Sequence, residues 1–267
     1  MHAPIRSAVT AVPAALLATV LCAGCTPAAA PAPPATVAPP VAEAASTRPA
    51  PPEPAPVVVL DPGHNGGNGA ASAEIARPVP DGRGGTKPCN TTGTEAADGS
   101  PEHAFAWDLA QRVRTRLESA GVRVVLTRDS DDGVGPCVDE RGAAGGRAGA
   151  AAAVSLHADG AAPAARGFHV AHADPGVHGT GPESLRLATT LRDGLRSSGL
   201  APAGYIGRDG LNGRPDLAGL NTSTVPTALV EAGNMRNAED AALLASPQGR
   251  DRYATAIADG VLTYLRR

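Results

Sequence analysis

Aromatic side chains are nearly absent: one Trp, three Tyr and two Phe in 267 residues. No run of Lys and Arg occurs either, and the net charge is −3. Nucleic-acid binding needs a basic footprint and, for single strands, rings on which bases stack, so these two shortages exclude that class. The apolar stretch Ala8–Ala23 is shorter than the ~20 residues that a membrane-spanning helix needs. With Arg6 before it and small residues after it, residues 1–25 read as an export signal. The signal ends in Cys22-Ala-Gly-Cys25-Thr, which resembles a lipobox and makes Cys25 the candidate for a lipid anchor. Cleavage by an ordinary signal peptidase is the alternative. Cysteine is otherwise scarce. Only Cys89 and Cys137 remain, and neither lies in a CxxC spacing, which argues against a thiolate metal site. One intramolecular pairing is open to them, and an exported setting favours that disulfide; two buried free thiols are the alternative. The glycine-rich Gly63-His-Asn-Gly-Gly-Asn-Gly69 has no Lys in the place a phosphate-binding loop requires, so that class is excluded too.

What is present divides into a tether and a body. Residues 26–56 are almost wholly Ala and Pro, a composition that favours extended, semi-rigid chain over a packed core. Residues 57–267 are enough for one core and read as one domain. Val57-Val-Val-Leu60 is a short β-branched run that ends in a turn. A long polar loop, 65–100, leads to a helix over Pro101–Ser119, with Ser100 as its cap and Phe105, Leu109, Val113 and Leu117 as its apolar stripe. A strand follows at Val122–Thr127, a glycine-rich helix at Val138–Gly149, and strands at Ala151–Leu156 and Gly167–His172. A helix over Pro182–Ser198 groups Leu185, Leu191 and Leu195. A strand over Pro226–Glu231 comes next, then a short helix capped by Asn237, then a last helix over Pro247–Leu265. Strands alternating with helices predict an α/β layered domain: one mostly parallel or mixed sheet with helices on both faces. Sites of such sheets gather at the rim formed by the strands' C-terminal ends.

Four distant stretches place metal-binding or acid–base residues toward that rim. They are Val57-Val-Val-Leu-Asp-Pro-Gly-His64, Ser100-Pro-Glu102-His103, Ser155-Leu-His157-Ala-Asp159 and Leu229-Val-Glu231-Ala-Gly233-Asn234. Two imidazoles and a carboxylate can hold zinc and leave a fourth position for water, while another carboxylate serves as general base. Each residue also has a plainer reading. His64 could be a loop histidine, His157 a rim histidine bonded to a carbonyl, and Glu102 a first-turn acid that suits the helix dipole. Glu231 is the hardest to dismiss, because a carboxylate closing an apolar strand is costly without a partner. Of the other histidines, His103 points about 100° around its helix from Glu102. His169 and His172 face opposite sides of a strand, with His169 placed to line a pocket.

Taken together, these motifs resemble the zinc-dependent N-acetylmuramoyl-L-alanine amidases of the Amidase_3 type, over the whole of residues 57–267. Leu60-Asp-Pro-Gly-His64 resembles the opening motif with the first zinc histidine, and Glu102 the zinc glutamate. Leu126-Thr-Arg128-Asp129 and Asp139-Glu-Arg141 resemble the turn and helix that follow. Ser155-Leu-His157-Ala-Asp159 resembles the segment with the second zinc histidine, and Val230-Glu231-Ala-Gly233-Asn234 the one with the catalytic glutamate. The resemblance implies Zn2+ on His64, Glu102 and His157, with Glu231 catalytic and peptidoglycan as substrate. Asp61, Arg141 and Asn234 fall within these motifs as residues that support the ligands or meet substrate. Asp61 is the candidate to hold His64 in place, or else simply makes the turn. Asn65 after His64, Asp159 after the second histidine and Asn234-Met-Arg-Asn237 after Gly233 depart from the usual pattern, on the side that would face substrate. The Cys89/Cys137 pair is closer to the small single-domain exported amidases of high-GC bacteria. The chain is expected to act as an exported monomer. Three rivals stay open: a non-catalytic peptidoglycan-binding relative, a solute-binding lipoprotein, and a zinc carboxypeptidase acting on stem peptides. The last needs an Arg for a terminal carboxylate, with Arg128, Arg141, Arg208 and Arg214 as candidates.

Overall fold

In a computed structural model, residues 54–266 are described. The expected signal, Cys25 and the tether, except its last residues 54–56, lie outside them. Six strands form one sheet. Strand β1 covers Val57–Pro62, β4 Arg123–Leu126, β5 Ala152–Asp159, β6 His169–Ala173, β7 Leu211–Arg214 and β8 Thr227–Asn234, in the order β4-β1-β5-β8-β6-β7. All neighbours are parallel except β6 and β8. The sheet is thus mixed and mostly parallel, as the alternation of elements predicts.

Strict alternation along the strands divides the side chains between two faces. One face carries Val58 and Leu60, Val154 and Leu156, and Val230. It packs on α2 (Glu102–Ser119), α4 (Gly181–Ser197) and α7 (Pro247–Leu265) through Phe105, Leu109, Leu187, Leu191, Ile257 and Val261. The opposite face is shallower and more polar. There Val59 and Ala153 meet α3 (Val138–Arg147), and Ala171 and Leu229 meet Leu220 of α5 (Ala218–Asn221). Most of the apolar burial lies on the first face, which leaves the second free to hold charged groups.

Four expectations change. Leu185 is 42% exposed and Leu187 takes its place in the core, because Leu187 is one helical turn from Leu191 and Leu185 is not. Ser100 does not cap α2; Pro101 occupies the cap position with no side-chain bond. The 65–100 segment is structured. It holds a 3-10 turn at Gly66–Ala70, a helix α1 at Ser72–Ile75 and a hairpin of β2 (Pro78–Pro80) with β3 (Thr86–Pro88). Strands β5 and β8 run beyond His157 and Glu231, with an irregularity in register between His157 and Asp159. Neither residue therefore ends its strand. No described helix is long and apolar enough to cross a membrane.

Cys89 and Cys137 form a disulfide at a sequence separation of 48, joining the foot of the hairpin to the start of α3. The chain-entropy model assigns a closed loop of this length about 4 kcal/mol. Replacing both cysteines by Ser should lower the unfolding free energy by up to about 4 kcal/mol in urea titrations. An unchanged midpoint would show that the crosslink contributes nothing in solution.

Candidate metal centre and active site

His64 sits one residue past the turn that ends β1, in the left-handed region at φ 57°. That conformation is costly for a residue with a Cβ and persists only when its surroundings enforce it. Two buried arginines do so. Arg141 of α3 donates to the carbonyls of Pro62 (2.6 Å), His64 (2.6 Å) and Gly135 (2.9 Å). Arg128 donates to those of Pro62 (3.0 Å), Gly63 (3.3 Å) and His103 (3.0 Å). Three consecutive carbonyls of the His64 turn are thus held by charged donors. Gly63 must lack a side chain, since a Cβ there would lie 2.3 Å from the His157 ring.

Glu102 opens α2 and reaches both histidines. Its Oε1 lies 2.9 Å from His157 Nδ1 and its Oε2 3.1 Å from His64 Nε2. The two rings stand edge to face, 4.9 Å between centroids. One donor atom from each of the three residues lies within 4.8 Å of the others. This is a His–Glu–His group able to hold a metal ion, and the donor types suit a borderline-soft divalent cation. Burial would raise the Glu102 carboxyl, but its hydrogen bonds to His157 and His64 overcome that and hold it well below the usual carboxylate range. Backbone amides of Thr94 (2.9 Å) and Ala158 (3.2 Å) complete its partners.

Glu231 of β8 is the register partner of His157 of β5. Its Oε2 is buried without a hydrogen bond. Burial, and then the charges of Glu102 and Asp159, push its carboxyl well above the ordinary range, with Arg214 opposing. A metal-ligand cluster and a carboxylate of raised proton affinity therefore stand side by side at the sheet's rim.

The sequence profile of the N-acetylmuramoyl-L-alanine amidase family matches residues 58–263. The chain belongs to that family. It is 49% identical over 211 residues to N-acetylmuramoyl-L-alanine amidase Rv3717 of Mycobacterium tuberculosis, covering 78% of this chain and 86% of that one. It superposes on the Mycobacterium smegmatis amidase Ami1 with TM-score 0.77 at 49% identity, covering 79% of this chain and 97% of the other. AmiC2 of Nostoc punctiforme aligns at 28% identity and TM-score 0.60, covering 79% and 98%. The enzyme is accordingly an amidase and a peptidoglycan hydrolase.

The remaining motif residues of the amidase are support. Asp61 does not touch His64. It takes bonds from Arg141 (2.7 Å), Thr127 (2.6 Å) and Ser155 (2.6 Å), and so holds His64 only through Arg141. Asn234 is fully buried and donates to the carbonyls of Ala162 (2.9 Å) and Ala165 (2.7 Å). It shapes the loop after β5. His103 turns away to Asp131, at 2.9 Å. No sequence motif marks Thr91, whose carbonyl and hydroxyl lie 3.1 and 3.2 Å from His64 Nδ1 and leave Nε2 turned to the centre. Nor did it mark Gly93, where a Cβ would come 2.8 Å from Glu102 and 2.9 Å from His64. Under the centre, a cavity of about 310 Å³ reaches along the polar sheet face between Val59, Leu229 and Leu220.

Burial raises the Asp61 carboxyl, but the Arg141 charge and the Ser155 and Thr127 hydroxyls outweigh it and lower it from 3.8 to about 2. A depressed carboxyl stabilises the fold above its unfolded value, and that stability is lost as pH falls through the folded value. Metal-free Asp61→Asn should therefore unfold more easily at pH 7 by on the order of 2 kcal/mol. The gap should close as pH falls from about 4 toward 2. A gap independent of pH would mean that the carboxylate charge does not brace the turn.

Proposed function

We propose that His64, Glu102 and His157 hold a zinc ion and that Glu231 is the general base for hydrolysing one amide of peptidoglycan. The bond is that between the lactyl group of N-acetylmuramic acid and L-alanine of the stem peptide. The observation that carries this reading is the meeting of His64, Glu102 and His157 donor atoms within 4.8 Å, next to the register partner of His157, Glu231. Two histidines and one carboxylate form the ligand set of catalytic zinc sites, with a position left for water. When bound, zinc polarises the scissile carbonyl and brings the pKa of water from 15.7 toward roughly 7.

The protein's own groups do the rest. Glu231 takes a proton from the water as its oxygen bonds to the carbonyl carbon, and gives it to the alanine nitrogen as the C–N bond breaks. Without a metal, burial holds its proton affinity above the ordinary range. The charge of Glu102 adds to burial in raising that affinity, and a cation held by Glu102 would offset that part of it. Arg128 and Arg141, through their bonds to the turn, keep His64 aimed without taking part.

The rivals fare less well. A carboxypeptidase needs a guanidinium free for a terminal carboxylate. Arg128 and Arg141 are buried and spent on backbone carbonyls, and Arg214 makes two 2.7 Å bonds to Asp216, which leaves the exposed Arg208 alone of the four candidates. A binding-only relative has no need of Glu231 beside a complete ligand set, and a solute-binding lipoprotein leaves that set unexplained. The reading extends to the rest of the chain: export by residues 1–25, a tether over 26–56 with Cys25 as a candidate lipid anchor, the catalytic domain at 57–267, and action as a monomer on peptidoglycan or its fragments.

Glu231→Gln should keep one zinc per chain yet lose at least about a hundredfold in rate on defined muropeptides. Mass spectrometry of the digest should show free stem peptide with an L-alanine amino terminus. Undiminished release by the variant, or cuts within the peptide, would refute the assignment.

A further inference from the structure

His169 has no part in the account so far, yet it occupies the next place along from Glu231. In the antiparallel pair of β6 and β8, His169 is the register partner of Glu231, which is itself the partner of His157. Side chains at paired positions share a face of the sheet and stand roughly 5 Å apart at Cβ. His157, Glu231 and His169 therefore form one row across three strands, on the polar face.

His169 is 2% exposed, and neither ring nitrogen makes a hydrogen bond. The Oε2 of Glu231 beside it is likewise buried and unbonded. Each such atom is costly, and native folds keep few of them. Here two buried polar groups lacking bonds share one rung of the sheet. A side chain serving only to fill that space would be better apolar. The ring is also seated with care. Asp159 Oδ2 lies 3.5 Å from Nε2 and accepts a 2.8 Å bond from the Tyr205 hydroxyl. The Tyr205 ring meets the imidazole edge to face, at 6.4 Å and 82°. Asp159 beside Nε2 leaves Nδ1 for another partner.

We propose that His169, seated by Asp159 and Tyr205, is a positioning residue that holds the Glu231 carboxyl group turned toward His157 and the reacting bond. This rests on Glu231 being the general base. His169 is too enclosed to meet a glycopeptide, so it acts through Glu231. Imidazole donates or accepts according to its tautomer. A bond from Nδ1 to that carboxyl would therefore persist while Glu231 gains and then releases a proton, which a carboxylate held only by fixed donors could not do.

Two measurements test this on the full chain. The first compares ring 15N resonances of histidine-labelled, zinc-free wild type and Glu231→Gln, with the His169 signal assigned by its loss in His169→Gln. The His169 resonances should move while those of His178 stay in place; unmoved His169 resonances would overturn the proposal. The second uses zinc-loaded His169→Phe. Its kcat should fall about 10–100-fold, with KM within about twofold and zinc content unchanged, and His169→Gln should recover most of the loss. Wild-type kcat in the Phe variant would also overturn it. Should the Phe variant not fold, the resonance experiment decides alone, since it keeps the histidine. A fully active Glu231→Gln would instead remove Glu231 as base, a separate failure from unmoved resonances in an inactive Glu231→Gln.

Discussion

The site depends on two guanidinium groups gripping a strained turn. His64 can project toward Glu102 only from a left-handed backbone, and such a backbone relaxes unless it is held at several points. Arg141 and Arg128 hold the carbonyls of the two residues before it and its own, from two separate elements. Buried arginines are themselves costly unless every donor is used. Here the turn supplies the acceptors and Asp61 supplies the countercharge for Arg141. The turn and the arginines thus satisfy each other, and neither arrangement is stable alone. The hairpin takes part as well. Its disulfide ties Cys89 to the start of α3, and Thr91, two residues on, bonds His64 Nδ1. His64 is therefore oriented from both ends of its ring by segments that are themselves fixed.

Around that point the sheet keeps apolar packing and chemistry apart. The face against α2, α4 and α7 carries most of the burial. The opposite face carries Asp61 and Ser155, partners in register, and then His157, Glu231 and His169 in the next row. Side chains of strands alternate strictly, so the site could move to that face without removing one residue from the main core. Glu102 is the exception in origin. It comes from a helix on the apolar side and reaches the rim from the first turn of α2, which brings it within bonding distance of both histidines.

Much of this was legible from sequence, for physical reasons that differ between residues. The strands β1, β5 and β8 were visible as short β-branched or Ala-rich runs, and His64, His157 and Glu231 could be placed toward their C-terminal ends. The helix stripe of α2 gave its core correctly because Phe105, Leu109, Val113 and Leu117 repeat every fourth residue. The same reasoning failed for Leu185, where spacing of six was read as one face. Strand β7 and helix α5, only four residues each, are too short to show a period. The structure of the 65–100 segment, and with it Thr91 and Gly93, was hidden because it rests on a distant disulfide and on glycine clearances, which leave no local pattern. Arg128 and Arg141 were visible as motif residues, but their role was not. A guanidinium bound to substrate and one bound to backbone look alike in sequence.

That ambiguity bears on how the departures near the site are understood. Asp159 departs from the family's usual pattern, on the side expected to face substrate. In the fold its carboxylate faces His169 and Tyr205. Burial and the Asp159 carboxylate push the Tyr205 phenol far up, so Tyr205 stays a donor at any physiological pH. An Asn at this position could accept that one bond but would bring no charge toward His169. The substitution is therefore better explained as one half of a pair, Asp159 with His169, than as a change in what the enzyme recognises. The pair lies one strand beyond Glu231, within the sheet. If Glu231 is the base, as proposed, the difference at Asp159 belongs with the groups around it rather than with substrate recognition.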